Sequence, residues 1–138
     1  MNINFGCGKK LLKFYKNFDK EINLEKRLPF SDDSVDKIML DNVLEHIYKQ
    51  RELMLETYRI LKRGGFAEIY VPFWSSRIEH IRHFYPKGYF NDLCGLGSKD
   101  SNDNVNLFIK DKEYYCRKKF MVYFPFINKN LYVKLIKK

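Results

Sequence analysis

The stretch DKIMLDNVLEHIYKQRELMLETYRILKRGGFAEIYVP, Asp36 to Pro72, decides the fold. Asp36–Leu40 is a short apolar run suited to a buried strand. Beyond it Ile47, Met54, Tyr58 and Leu61 recur at helical steps and share one face, while Arg51, Glu52, Glu56 and Arg59 fall mostly opposite. Lys62 and Arg63 suit the negative end of that helix, and Gly64-Gly65 supplies a left-handed stop. Phe66–Val71 is the next strand. Two strands joined by a helix predict a right-handed crossover in a parallel sheet. Asp41 and Pro72 then stand at the carboxyl ends of neighbouring strands, where open α/β sheets bind ligands.

At 138 residues the chain is expected to be one domain, residues 1–138, with a real core. A composition 45% hydrophobic and 17% aromatic argues against disorder. No run approaches the roughly 20 apolar residues of a membrane helix. The opening MNINFGCGKK has no apolar leader, so a cytoplasmic location is expected. Cys7, Cys94 and Cys116 are odd in number and far apart, which fits free thiols in a reducing compartment. The net charge of +9 is uneven: residues 110–138 hold nine Lys/Arg against two acids. That basic region suits nucleic acid, an anionic membrane surface or an acidic partner, or it is simply a solvated face.

Asn2–Phe5 reads as a first strand that ends in Gly6-Cys7-Gly8-Lys9-Lys10. A second strand is expected over Phe14–Phe18, ending at Asp19. Too few residues separate Gly8 from Asp19 for the usual crossover helix, which must be missing or cut to one turn. Leu28-Pro29-Phe30 leads into the turn cluster Ser31–Ser34. After Pro72 come Phe73-Trp74 and then Glu79-His80-Ile81-Arg82-His83. Pro86 suits the start of a short helix to about Leu93. Gly95, Gly97 and Ser98–Asn104 read as a polar loop. Val105–Ile136 predicts two or three strands, some antiparallel, with a turn near Asn128–Asn130.

NFGCGKK, Asp19, LPFSDDSVDKI, LDNVLEHI, RILKRGGFAEIYVP and HIRHF occur in one order. Over about residues 2–90 the set resembles the class I S-adenosylmethionine-dependent methyltransferases, most of all a compact branch with an "LPF" turn, "LEH" and "LKPGG". The resemblance implies an open, mostly parallel Rossmann-like methyltransferase sheet with a shortened first crossover and an antiparallel C-terminal strand pair. It also implies S-adenosyl-L-methionine as cofactor.

Glycines at 6 and 8 allow positive φ and close approach of backbone N–H groups to a ligand. In the family this turn, here Gly6, Cys7 and Gly8, cradles the methionine part of the cofactor. Lys9 or Lys10 would replace the charge a longer helix would bring. Asp19 ends the second strand, where a carboxylate accepts bonds from ribose hydroxyls, with Glu21 as rival. Asn23 and Leu24 stand where the family meets the adenine amino group, and Asn still offers a carbonyl oxygen. Asp41 and Asn42 face the sulfonium side in the family; Asp41 either positions the methionine or an acceptor, or caps a helix. Glu45-His46 is expected to be structural, with His46 hydrogen-bonded near the sheet end. His80 and His83 would overhang the same end as Asp41, and a His is the usual base near neutral pH. Alignment of donor and acceptor supplies the rate without a base in the alternative reading. Zinc on His80-x-x-His83 and His46 fails on spacing and lacks a Cys set, so no metal is expected. Phe73 and Trp74 either stack on a substrate or cap the core, the latter favoured.

Methyl transfer to an unknown acceptor is therefore the leading expectation, with a small molecule or glycan slightly preferred and a homodimer or partner subunit completing the site. The alternative is a non-catalytic module of the same fold that binds nucleic acid or protein through its basic C-terminal region. A nicotinamide-cofactor oxidoreductase would want GxGxxG opening a helix, and Lys-Lys-Leu follows Gly8 instead.

Overall fold

The computed structural model describes residues 1–72, 88–96, 105–117 and 129–138. Among these residues six strands form one sheet: β1 (Asn2–Phe5), β2 (Lys16–Phe18), β3 (Val35–Asp41), β4 (Leu61–Pro72), β5 (Phe108–Arg117) and β6 (Lys129–Lys137). Their order is β2-β1-β3-β4-β6-β5. The first four run parallel, β6 runs antiparallel to β4, and β5 antiparallel to β6. This is the α/β, mostly parallel sheet with an antiparallel C-terminal pair that the sequence predicts.

Strand alternation sorts the side chains onto two faces. Phe18, Phe5, Leu40, Ile69 and Val133 lie side by side across five strands. Ile3, Ile38, Ala67 and Leu135 form the parallel row beside them. Both rows join Leu53, Met54 and Ile60 of helix α1 (Gln50–Ile60) in one core, with Phe18 partly buried against it. Burial of a large aliphatic or aromatic side chain of this kind stabilises by about 1.5–3 kcal/mol. The opposite face carries Asn17, Asn4, Met39, Glu68 and Lys134 in register.

The first crossover, residues 6–15, contains no helix. Two asparagines close it instead. Asn4 and Asn17 are register partners on β1 and β2. Asn4 Nδ2 donates to Asn17 Oδ1 at 2.9 Å and to the Lys10 carbonyl at 3.0 Å. Asn17 also binds the Leu12 N–H and the Leu12 and Tyr15 carbonyls. A partly buried polar pair thus satisfies backbone groups that a helix would have satisfied internally.

Four boundaries differ from the sequence reading. Helix α1 stops at Ile60, because Leu61 turns extended and buries completely at the start of β4. Ile47 likewise lies outside it, after a 3-10 turn at Leu44–His46. Lys62–Gly65 therefore belong to β4, where the register against β3 jumps from Val35↔Leu61 to Lys37↔Phe66. Gly64 does take a left-handed φ of 76°, but inside this irregularity and not as a helix stop. A Cβ on Gly65 would lie 2.9 Å from the carbonyl oxygens of Asp36 and Lys62, so only glycine fits.

Second, β2 begins at Lys16, since Phe14 adopts a φ of 68° that no strand allows. Third, the short helix expected up to Leu93 is, from Gly88 on, a pair of turns closed by Asn91 N–H to Gly88 and Cys94 N–H to Asn91. Fourth, Lys129 and Asn130 already belong to β6, and Asn128, where the expected turn begins, lies outside the described residues. Pro86, Gly97 and Ser98–Asn104 lie outside the described residues.

Candidate functional site

The carboxyl ends of β1, β2 and β3 meet at one rim. Gly6 and Gly8 both take positive φ, 61° and 48°. At Gly6 a Cβ would sit 2.6 Å from Val43 Cγ2, so the turn is pressed against the segment that follows β3. At Gly8, which is exposed, nothing among the described residues lies within 4 Å of where a Cβ would be. Cys7 N–H donates to the Phe18 carbonyl at 3.1 Å, which ties the turn to the end of β2. Cys7 is a free thiol.

Asp19 converges on this turn: Gly8 N–H donates to its Oδ1 at 3.2 Å. Glu21, its rival, turns back and accepts the Asp19 N–H at 2.7 Å. Its own and the Asp19 backbone N–H groups hold the Glu21 carboxyl below its ordinary pKa. Of the two acids, Asp19 is the one at the glycine turn.

Asp41, at the end of β3, is ion-paired with Lys10 and accepts the Asn42 side-chain amide at 2.7 Å. Asn42 is held at a φ of 55°, with its N–H on the Tyr70 carbonyl. The residues before the 3-10 turn and before α1 are Val43 and Lys49, without side-chain caps. The helix-cap reading of Asp41 therefore drops out, and Lys10 rather than Lys9 brings the positive charge to the rim.

Asn23 is exposed and its carbonyl oxygen accepts the Glu25 N–H at 2.9 Å, a local turn bond. Leu24 is buried in the core cluster. In the 3-10 turn it is Glu45, 6% exposed, that is buried, while His46 faces solvent. His80, His83, Phe73 and Trp74 lie outside the described residues.

Two features carried no signal in the sequence. One is a cavity of about 500 Å³ between Leu44, Gln50, Arg51 and Met54 on one side and Gly88–Leu93 on the other. Tyr89 spans it, donating to Gln50 Oε1 at 2.7 Å, and burial pushes the Tyr89 hydroxyl up from its ordinary pKa. It is not the glycine rim, but Leu44 places one wall three residues beyond Asp41. The other is the Tyr132 hydroxyl, 2.8 Å from Glu68 Oε1; burial and that carboxylate push its pKa up.

The rim carries the Asp19 carboxylate on the Gly8 N–H, the Lys10–Asp41 pair and a glycine turn exposed at Gly8. Carboxylate acceptors and an ammonium in that arrangement fit a ligand carrying hydroxyls and charged ends, as an adenosyl cofactor does.

Residues 5–69 match the methyltransferase-domain family model. Among curated proteins, none matches the sequence. Among solved structures the chain resembles the methyltransferase complexed with the Trm112 methyltransferase activator of Haloferax volcanii: TM-score 0.67, 11% identity, 99% of this chain and 81% of that one. A SAM-dependent methyltransferase from Archaeoglobus fulgidus gives TM-score 0.59 at 15% identity over 99% and 85% of the chains. One from Thermotoga maritima gives 0.55 at 14% identity over 99% and 82%. Residues 5–69 thus match a methyltransferase-domain model, and the sheet has the fold of solved SAM-dependent methyltransferases.

Proposed function

We propose that the protein is an S-adenosylmethionine-dependent methyltransferase whose cofactor is held at the rim of β1, β2 and β3. The observation that carries this is the convergence of the Gly6–Gly8 turn and Asp19 at the carboxyl end of the sheet. The Gly6, Cys7 and Gly8 backbone would approach the methionine portion. Asp19 would accept from ribose hydroxyls, and Asn23 would border the adenine. Asp41, with Lys10 and Asn42, would orient the methionine end. Bound there, the cofactor supplies a methyl group already activated by a sulfonium.

Positioning by the chain then carries most of the rate. Asp41 is the described acid best placed to orient the reacting groups. His80 and His83 remain the proposed bases should the acceptor need one. The cavity beside Leu44 and Tyr89 is of a size that takes a small molecule or a single glycan unit, and we assign the acceptor to it.

A second reading, a non-catalytic module serving a partner, is favoured by the helix-free crossover and by the similar structure solved with an activator protein. Its nucleic-acid form is the weaker: Lys110, Lys134 and Lys137 of the basic region pair with Glu113, Asp111 and Asp33 inside the fold. Calorimetric titration with S-adenosylhomocysteine tests the first reading. Saturable binding that weakens in Asp19→Ala is expected, and silence at millimolar ligand would remove the reading.

A further inference from the structure

The crossover that lost its helix presents two apolar side chains to water. Leu11 is 71% exposed and Phe14 84% exposed. They are not loose ends. The Asn4–Asn17 clasp fixes the backbone on either side at Lys10, Leu12 and Tyr15, and Asn2 Nδ2 reaches the Phe14 carbonyl at 3.5 Å. Phe14 itself sits at a φ of 68°, a conformation that suits glycine or asparagine and is unfavourable for a bulky side chain. Among the described residues its ring meets only the Lys13 ammonium, 5.1 Å from the centroid.

Residues 9–20 also carry Lys9, Lys10, Lys13, Lys16 and Lys20 against the single acid Asp19. All five lysines are exposed. Among the described residues Lys10 alone of the five is ion-paired, with Asp41, while Lys13 lies over the Phe14 ring. A rigid tip with two apolar side chains in a ring of lysines matches one environment closely, the interface of an anionic bilayer. There apolar groups enter the boundary between headgroups and acyl chains while ammonium groups meet phosphates. Single-stranded nucleic acid is the poorer match: a base would stack on Phe14 but has no use for Leu11.

We propose that the loop between β1 and β2 docks this protein onto anionic membrane surfaces, with Leu11 and Phe14 inserted and Lys9, Lys13, Lys16 and Lys20 on the headgroups. This is peripheral attachment; among the described residues no helix is long and apolar enough to cross a membrane. It does not depend on the methyltransferase reading.

The test is sedimentation of the full chain with vesicles of phosphatidylcholine containing about 30% phosphatidylserine, and with phosphatidylcholine alone. Binding to the former only is expected. Leu11→Ser/Phe14→Asn should weaken it by about tenfold or more. Ile109→Ser removes an apolar side chain, 51% exposed, from the opposite edge strand and should leave binding unchanged. Thermal melts check that each variant is folded. The proposal is overturned by absence of binding, by equal binding to both vesicles, by a double variant that binds like wild type, or by an equal loss in Ile109→Ser. A single-stranded oligonucleotide bound through Phe14 more tightly than the vesicles would overturn it as well.

Discussion

Asp19 and Gly8 are joined across the rim of the sheet, the carboxylate accepting the glycine N–H at 3.2 Å. The acid that ends β2 is thereby aimed at the turn that ends β1. Asp19→Ala should weaken S-adenosylhomocysteine binding by about 10- to 100-fold, the cost of losing hydrogen bonds to a charged acceptor. Calorimetry measures it, and because Asp19 is exposed the melting temperature should hardly move. A variant that binds like wild type would show that the acid serves the turn alone.

The two glycines of that turn should respond differently to alanine. Gly6→Ala meets Val43 Cγ2 at 2.6 Å as well as a φ of 61°, whereas Gly8→Ala meets only the backbone strain. Gly6→Ala is expected to destabilise by about 2–4 kcal/mol and Gly8→Ala by about 1 kcal/mol in urea denaturation. Adding Val43→Ala to Gly6→Ala should improve on the sum of the two single effects, since it removes the collision.

Arg59 fastens the turn before β3 to helix α1. Its guanidinium donates to the Leu28 and Phe30 carbonyls, to Asp32 and, twice, to Glu56. Arg59→Leu is expected to cost about 2–3 kcal/mol. The Arg59 hydrogen bond is the main reason the Glu56 carboxyl lies below its ordinary 4.5. A folded value below the unfolded one means the stabilisation is complete above pH 4.5 and disappears as pH falls through the depressed value. The wild type should therefore lose stability on acidification below that point more steeply than Arg59→Leu. Equal slopes in denaturant midpoints would show that the pair does not matter to folding.

Phe14→Gly should leave stability unchanged or raise it by about 0.5–1 kcal/mol. The side chain buries almost nothing, and glycine relieves the left-handed φ, offset by its greater freedom when unfolded. A clear loss of stability would mean that the ring packs on the fold in solution.

Much of this was legible in the chain. Strands β1, β3 and β4 stood out because apolar runs alternate with glycine turns, and the missing first helix followed from arithmetic on Gly8 and Asp19. The helix limits were misjudged because Ile47 and Leu61 keep the apolar phase. Periodicity says that a residue faces the core, not whether a helix or a strand carries it there. Phe14 looked like strand for the same kind of reason, since aromatic character does not reveal a backbone in the left-handed region. The position of Asp19 beside the glycine turn was legible because it follows a strand. The Lys10–Asp41 pair was not, since it joins residues 31 apart that only strand register brings together. The Asn4–Asn17 pair was not read either, since it emerges only from the pairing of β1 with β2.

The placement of β4 has a consequence for biosynthesis. This strand has β3 on one side and β6 on the other, and Phe66–Pro72 pairs with Asn130–Ile136. A nascent chain that has emerged only as far as β5 holds a central strand with one bare edge, and β5 itself has no neighbour until β6 arrives. Final closure of the sheet must await residues 129–137, and until then the exposed edge of β4 is a template for pairing with other chains. Ribosome-stalled fragments ending before Lys129 should therefore be clients of chaperones rather than folded intermediates.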